Sequence, residues 1–224
     1  MTRYTDIIYK NENKDYDYKL CEYIYNSYFK DVNGSLLDIG CGNGRHLTHF
    51  ENLGMKNVYG IDSRIEDNTK KNIKKCDVET DKFPFKSNSF RCVFSKSLIE
   101  HLHRPDNFIE ETLRVMKLDG VLVLMTPDWR SQMSFFWDDY SHYHAYTKKS
   151  LKDLLDIFGY RDVECEYFYQ LPFVWDRPCL EIIPKIISIC PQSFKWKTKD
   201  MRNGEDRKLI RFSKEKMLLA TGLK

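Results

Sequence analysis

Glycines alternate with small or polar residues in a short loop that could hold a ligand. Gly40, Gly42 and Gly44, with Cys41 and Asn43 between them, follow a predicted buried strand and precede a predicted helix. Glycine lets the backbone turn sharply and lets a ligand lie against it, because there is no Cβ to collide with. The loop therefore predicts either a ligand site or an ordinary tight turn from strand to helix.

Two acidic residues favour the ligand site. Asp62 ends the next predicted strand, where a carboxylate can accept hydrogen bonds from both hydroxyls of a ribose. Asp38 precedes the loop, and a carboxylate there suits a positively charged ligand better than a pyrophosphate. Nicotinamide-binding folds use Gly-x-Gly-x-x-Gly, whereas the sixth position counted from Gly40 is Arg45. This spacing disfavours a nicotinamide oxidoreductase.

Histidines are the candidates for a general base. A hydroxyl substrate needs a group that removes its proton, and histidine does this near neutral pH. His101 follows the fourth predicted strand, at the edge where such sheets bind ligands. His142 and His144 alternate with aromatic residues in a segment predicted to cap the site, and His103 is a weaker candidate. For each of them a hydrogen-bonded structural histidine is the alternative interpretation.

Strand-like and helix-like stretches alternate along the chain, which indicates an α/β fold with a mostly parallel sheet covered by helices. The predicted strands are 35–39, 57–61, 72–78, 90–95, 121–125, 160–169 and 216–221. The predicted helices are 16–30, 45–53, 106–117 and 148–158. The stretch 63–75 lacks apolar periodicity, so any helix there is predicted to be short or poorly covered.

Several motifs together resemble the class I S-adenosylmethionine-dependent methyltransferases, most closely the small-molecule group called type 11. In order, they are Leu-Asp-Ile-Gly-Cys-Gly-Asn-Gly ending at Gly44, Tyr-Gly-Ile-Asp62, Lys-Cys-Asp-Val78, the stretch 83–90, Ser-Leu-Ile-Glu-His-Leu102 and the stretch 109–120. They cover about 35–127 at the family's spacing. The stretch 138–160 resembles the region after the family's fifth strand, and 211–222 resembles relatives found with enzymes of polysaccharide and glycolipid biosynthesis.

The resemblance implies a Rossmann-like sheet with helices on both faces, an antiparallel last strand, and S-adenosylmethionine as cofactor. It implies that Asp38 and the loop 40–44 shape the pocket for the methionine part, and that Asp62 holds the ribose. Asp77 and Val78 would meet the adenine, and Ser95 and Leu98 would line the methyl-donor centre. Cys41 is predicted to pack within the loop rather than act as a nucleophile, since no activating partner is in view.

The resemblance also implies the layout of the chain. Residues 1–34 are predicted to form a helical segment over the cofactor site, 35–169 the methyltransferase core, and 170–224 a lid and the final strand of the same domain. No metal is predicted, because Ser97 replaces the first glutamate of a Glu-x-x-Glu-His cluster that binds a divalent ion in some relatives. Asp138 and Asp139 are the other oxygen donors nearby.

Small-molecule methyl transfer is the predicted function, with a sugar or glycolipid hydroxyl as first choice of acceptor. The alternatives are a quinone-like aromatic, protein or RNA acceptor, and a catalytically inactive subunit that binds the cofactor. The net charge of +3 gives no support to a nucleic-acid partner. Seven cysteines, an odd number without a Cys-x-x-Cys pair, predict a reduced, cytoplasmic protein.

The C-terminal part combines apolar and basic stretches. Residues 171–191 are apolar and rich in proline, while 192–217 hold nine basic and four acidic side chains. The stretch 175–217 could lie in a membrane interface, although the apolar run is too short to span a bilayer. A lid or a homodimer face over the acceptor pocket is the favoured interpretation.

Overall fold

Apolar runs of the sequence form the centre of a seven-stranded sheet. The computed structural model describes residues 14–65, 72–189 and 208–224. The strands are β1 (Leu36–Ile39), β2 (Val58–Asp62), β3 (Ile73–Lys75), β4 (Phe90–Lys96), β5 (Met116–Pro127), β6 (Arg161–Phe168) and β7 (Met217–Leu223). Their order in the sheet is β3-β2-β1-β4-β5-β7-β6. The central strands β1 and β4 are almost entirely buried, as expected for a sheet covered on both faces.

The first five strands of the sheet run parallel, and only β7 runs antiparallel to its neighbours β5 and β6. This confirms the predicted fold class. In the register of β1, Asp38 pairs with Gly60 of β2 and Ile39 with Ser95 of β4. The carboxyl ends of β1, β2 and β4 therefore lie side by side at one edge of the sheet, which is where ligands bind in folds of this topology.

Helices cover the sheet in two layers. They are α1 (Lys14–Ile24, continued by a π-helical turn Tyr25–Phe29), α2 (Arg45–Asn52), α3 (Asp106–Val115), α4 (Trp129–Gln132), α5 (Lys148–Ile157), α6 (Pro172–Trp175), α7 (Ile182–Ile189) and α8 (Lys208–Lys214). Leu20 of α1 and Phe50 of α2 pack in one buried cluster, and Phe108 of α3 and Leu151 of α5 pack in the other. Two apolar cores, one on each face, result.

Several element boundaries differ from the predicted ones, and the largest difference is β5, which is predicted over 121–125 and found over Met116–Pro127. The helix predicted to reach Lys117 ends at Val115, because β5 already begins at Met116 and pairs there with Phe90. The strand predicted over 72–78 covers only Ile73–Lys75. It ends early because the Asp77 carboxylate accepts a hydrogen bond from the Glu79 amide and so turns the chain. The predicted helix-poor stretch 63–75 lies partly outside the described residues.

The C-terminal apolar run forms short helices. Trp175 at the end of α6 stacks on Phe168 and contacts Tyr16 and Tyr23 of α1. In α7, Ile182, Ile186 and Ile189 are exposed. Within the described residues, no helix is long and apolar enough to cross a bilayer. Most of the basic stretch 192–217 lies outside those residues, so its predicted contact with a membrane stays a prediction.

Candidate functional site

The glycine loop, residues 40–44, has the backbone conformation that its composition predicts. Gly40, Gly42 and Gly44 have φ angles of 76°, 53° and 75°, in the left-handed region where side chains other than glycine are strained. A Cβ on Gly40 would lie 3.1 Å from the side chain of Leu98. A Cβ on Gly42 would meet nothing within 4 Å, so the chain leaves space beside the loop.

Asp62 closes the loop from the neighbouring strand. Its Oδ2 accepts a hydrogen bond of 2.9 Å from the Gly42 amide, and its Oδ1 accepts one of 2.9 Å from the Arg64 amide. The carboxylate is fixed at the end of β2 by these two bonds. Each carboxylate oxygen can accept a further hydrogen bond, so Asp62 is both a brace for the loop and an acceptor toward the adjoining cleft.

Asp38 is a buried acid beside the loop. It is only 1% exposed, and its Oδ2 has no hydrogen-bond partner among the described residues. The Nδ1 atom of His46 lies 3.6 Å from this oxygen. A buried carboxylate oxygen without a donor is costly. An ammonium group bound beside the loop would remove that cost, so these residues fit the methionine end of S-adenosylmethionine.

A cleft of about 280 Å³ opens between the strand ends and the segment 129–146, which we call the cap. It brings together five of the predicted cofactor residues: Gly40, Asp62, Asp77, Val78 and Leu98. His101 also lines it. The remaining lining residues are Ser63, Arg64, Cys76, Glu79, Ser97, Leu102, Tyr140 and Ser141.

Other predicted cofactor residues lie behind the cleft rather than along it. Ser95 is fully buried and donates a hydrogen bond of 2.9 Å to the Ile39 carbonyl, so it ties β4 to β1. Cys41 is buried against Gly60, where an added Cβ would lie 2.5 Å from its Sγ. Asp38, Gly42, Asn43 and Gly44 are likewise absent from the lining. Burial raises the pKa of the Cys76 thiol, which does line the cleft, to about 11.

His101 is the histidine that the structure places in the cleft. Its Nδ1 lies 3.1 Å from the carbonyl oxygen and 3.0 Å from the hydroxyl of Ser141 in the cap. Burial lowers the pKa of His101, the nearby His142 lowers it further, and Asp139 acts in the opposite direction. The ring is therefore mainly neutral at neutral pH, as a general base must be.

The other two candidate histidines hold the cap in place. The Nδ1 atom of His142 lies 2.7 Å from the Phe136 carbonyl, and its ring centroid is 4.8 Å from that of His101. The Nε2 atom of His144 lies 3.1 Å from the His103 carbonyl, and neither histidine of this pair lines the cleft. Their geometry matches the structural interpretation more closely than that of His101 does.

Glu100 is a buried acid that sequence reasoning did not single out for a role of its own. It is 1% exposed, and burial raises the pKa of its carboxyl to about 7, although the hydroxyl of Thr126 donates a hydrogen bond of 2.8 Å to it. Its carbonyl oxygen accepts hydrogen bonds from the amides of Tyr143 and His144. Glu100 thus anchors the cap. No sequence pattern reveals this, because the contacts span about forty residues.

Glu100 also belongs to a group with the spacing of a metal site. One carboxylate oxygen of Glu100 and one ring nitrogen each of His101 and His142 lie within 4.8 Å of one another. The Nδ1 atoms of both histidines already face carbonyl oxygens. Metal independence stays a prediction.

Comparison with known proteins shows which family this chain matches. A family model described as a methyltransferase domain matches residues 13–165. A SAM-dependent methyltransferase from Archaeoglobus fulgidus has a similar structure, with a TM-score of 0.66 and 19% identity over 99% of this chain and 98% of that one. No curated protein matches the sequence.

Two further solved structures are similar in fold. A methyltransferase of Haloferax volcanii, solved in complex with the Trm112 methyltransferase activator, has a TM-score of 0.67 and 16% identity over 94% of this chain and 90% of that one. Phosphoethanolamine N-methyltransferase 2 of Haemonchus contortus, solved with S-adenosyl-L-methionine, has a TM-score of 0.57 and 16% identity. That match covers 99% of this chain and 59% of the other.

Proposed function

This chain belongs to the family of methyltransferase domains, and from that premise we propose that it methylates a hydroxyl group of a small molecule, with a sugar or glycolipid as first choice of acceptor. It is a class I methyltransferase that depends on S-adenosylmethionine. The observation that carries the proposal is His101, a half-buried histidine that shares one cleft with Asp62 and Gly40, the first residue of the glycine loop.

Each part of the cofactor has a proposed set of contacts. Asp38 and the glycine loop hold the methionine part, Asp62 holds the ribose hydroxyls, and Asp77 and Val78 meet the adenine. Bound S-adenosylmethionine supplies a methyl carbon that is activated by the neighbouring sulfonium charge. The residues 1–34 are proposed to cover this side; an ion pair of 2.7 Å between Asp17 of α1 and Arg45 of α2 supports that role.

The acceptor is proposed to enter beside the cap. Much of the rate in such a transfer comes from holding the acceptor atom about 3–3.5 Å from the methyl carbon and in line with it. Tyr140 lines the cleft and is 80% exposed, so an acceptor that enters there would contact this side chain. This feature also favours the second candidate, an aromatic acceptor of the quinone type.

An acceptor screen tests the proposal. Purified protein and S-adenosylmethionine are mixed with free sugars, nucleotide sugars, glycolipids and phenolic compounds, and formation of S-adenosylhomocysteine is measured. We expect turnover with a hydroxyl compound. Turnover with amines alone would contradict a hydroxyl acceptor, and binding of S-adenosylhomocysteine without any turnover would favour the inactive-subunit alternative.

The base is tested in the same assay. His101→Ala should reduce kcat by about 100- to 10,000-fold, which is the usual contribution of a general base. Because the pKa of His101 is lowered, wild-type activity should fall only as the pH drops below about 6.5. The exposed His103→Ala serves as the matched control and should keep most of the activity. Full turnover by His101→Ala would exclude the proposed base.

A further inference from the structure

A chain of short hydrogen bonds links an acid of the cap to the histidine in the cleft. The hydroxyl of Ser141 lies 2.6 Å from the Oδ1 atom of Asp139 and 3.0 Å from the Nδ1 atom of His101. The Ser141 amide also donates to Asp139, at 3.0 Å, and the Ser141 carbonyl oxygen lies 3.1 Å from the same Nδ1. Ser141 thus contacts both groups through its side chain and its backbone.

The donors in this chain are fixed by chemistry. An ionised carboxylate only accepts, and a serine hydroxyl has one proton to donate. The Ser141 hydroxyl donates its proton to Asp139, so its oxygen can only accept a hydrogen bond from Nδ1 of His101. The carbonyl oxygen of Ser141 can likewise only accept from this Nδ1. The proton of the neutral His101 ring must therefore sit on Nδ1. Nε2 then carries the lone pair that a base needs.

We propose that Asp139 and Ser141 are positioning residues that hold His101 in the Nδ1–H tautomer, so that its Nε2 removes the proton of the acceptor hydroxyl. The inference rests on the proposed function and adds two residues to it. As the acceptor oxygen bonds to the methyl carbon, the carbon–sulfur bond breaks and its electron pair stays on sulfur. The hydroxyl proton goes to Nε2, and His101 leaves the step as an imidazolium that later releases the proton to water.

The charges around His101 are consistent with this role. Four titratable or charged groups lie near the ring: Asp139 and His142 of the cap, Glu100, which precedes His101 in the chain, and Arg64, which follows the end of β2. Burial, His142 and Arg64 favour the neutral ring, whereas the backbone of Ser141 and the carboxylate of Asp139 favour the cation. Asp139 therefore stabilises the imidazolium through Ser141 at the moment it forms, which is the task of the acid in a Ser-His-Asp triad.

Nitrogen NMR of the histidine rings in the full, unliganded chain tests the tautomer without an acceptor. At a pH above the His101 pKa, we expect the wild-type Nδ1 to be protonated and Nε2 to be unprotonated. In Asp139→Ala the serine hydroxyl is released to donate to Nδ1, and the ratio of Nδ1–H to Nε2–H should fall about fivefold, the effect of one hydrogen bond. In Asp139→Ala/Ser141→Ala this loss should shrink, because the hydroxyl is gone.

Asp138→Ala, which removes a neighbouring exposed carboxylate, is the matched control and should leave the ratio unchanged. An Nε2–H tautomer in the wild type would overturn the proposal, as would an unchanged ratio in Asp139→Ala. If Asp139→Ala does not fold, Asp139→Asn keeps an acceptor oxygen and removes the charge, so the pKa of His101 should drop below its wild-type value. An unchanged pKa there would overturn the proposal.

Failure of the Asp139–Ser141 proposal can be distinguished from failure of the proposed function. Loss of turnover in His101→Ala together with a wild-type pH profile in Asp139→Asn would keep the base and exclude the positioning pair. Full turnover in His101→Ala would exclude the base itself. If the pair acts as proposed, the acidic limb of the kcat profile in Asp139→Asn should move to lower pH, with kcat changed more than KM.

Discussion

The two walls of the cleft are built in different ways. The glycine loop and Asp62 sit at the carboxyl ends of β1 and β2, and their positions follow from the register of two parallel strands. The cap has only the four-residue helix α4 and a short 3₁₀ turn, and it is fixed by hydrogen bonds to distant parts of the chain. Regular strands place the cofactor side, whereas individual polar contacts place the side that would choose the acceptor.

This difference has a consequence for how each wall tolerates change. A strand end stays in place when one side chain is altered, because the ladder of backbone hydrogen bonds remains. The cap depends on single groups, such as the Glu100 carbonyl that accepts from Tyr143 and His144, and the Lys216 carbonyl that accepts from Gln132 at 2.9 Å. We expect substitutions in the glycine loop and at Asp62 to alter cofactor binding. Substitutions of residues that hold the cap should instead alter the free energy of unfolding.

Among changes at the two walls, Asp62→Ala should have the largest effect on cofactor affinity. A hydrogen bond to a charged group contributes about 1.5–3 kcal/mol, so loss of two ribose bonds should weaken the affinity for S-adenosylhomocysteine about 100-fold or more. Calorimetry measures this directly. Asp156→Ala, which removes an exposed acid on α5, is the control and should bind as the wild type does. Equal affinities of wild type and Asp62→Ala would remove the basis for the ribose site.

Most substitutions of buried residues lower the free energy of unfolding, whereas Glu100→Gln should raise it at pH 8 relative to pH 4. Between pH 4.5 and about 7 the folded protein keeps the Glu100 proton while the unfolded chain loses it, so the free energy of unfolding falls as pH rises through this window. Glutamine removes this slope and still accepts from Thr126. The gain at pH 8 relative to pH 4 should approach about 3 kcal/mol.

Urea unfolding at the two pH values measures this gain, with the exposed Glu110→Gln as control. A variant whose stability changes with pH as the wild type's does would show that Glu100 ionises normally. A confirmed gain in the free energy of unfolding would sharpen the contrast between the two walls. Removal of a carboxylate would then stabilise the fold at Glu100 and weaken cofactor binding at Asp62.

The sequence was sufficient for the first wall and insufficient for the second. Glycines at Gly40, Gly42 and Gly44 and an acid at the end of the next strand predict their own placement, because parallel strands end at one edge of the sheet. Ser141 and Glu100 carry no such local signal. Their roles depend on contacts to His101, Thr126 and the cap amides, and these exist only once the chain has folded.

The boundary between α3 and β5 also depends on a contact that the local sequence does not show. The predicted helix 106–117 follows an apolar periodicity that continues through Met116, yet β5 takes up Met116 because Phe90 of β4 offers it a pairing partner. A pairing partner overrides local pattern. The strand ends that carry Asp38 and Asp62 had no such competitor, and they lie where the sequence predicts them.

Gly60→Ala tests whether Cys41 is a packing residue of the first wall. The added Cβ would lie 2.5 Å from the Sγ of Cys41 and 3.0 Å from Leu47, and overpacking of this kind costs about 1–3 kcal/mol. Combining it with Cys41→Ala should restore part of the lost free energy of unfolding. Cys41→Ala alone should keep the wild-type affinity for S-adenosylhomocysteine. Loss of turnover in that single variant would contradict a packing role.

Removal of metal should have the smallest effect of all. A hard divalent ion would need the Glu100 carboxylate ionised, whereas burial raises its pKa to about 7. Turnover in EDTA should therefore equal turnover in Mg²⁺. If EDTA abolished turnover and Mg²⁺ restored it, the cap would bind a metal ion. The effects of single substitutions in the two walls would then have to be compared again with the ion bound.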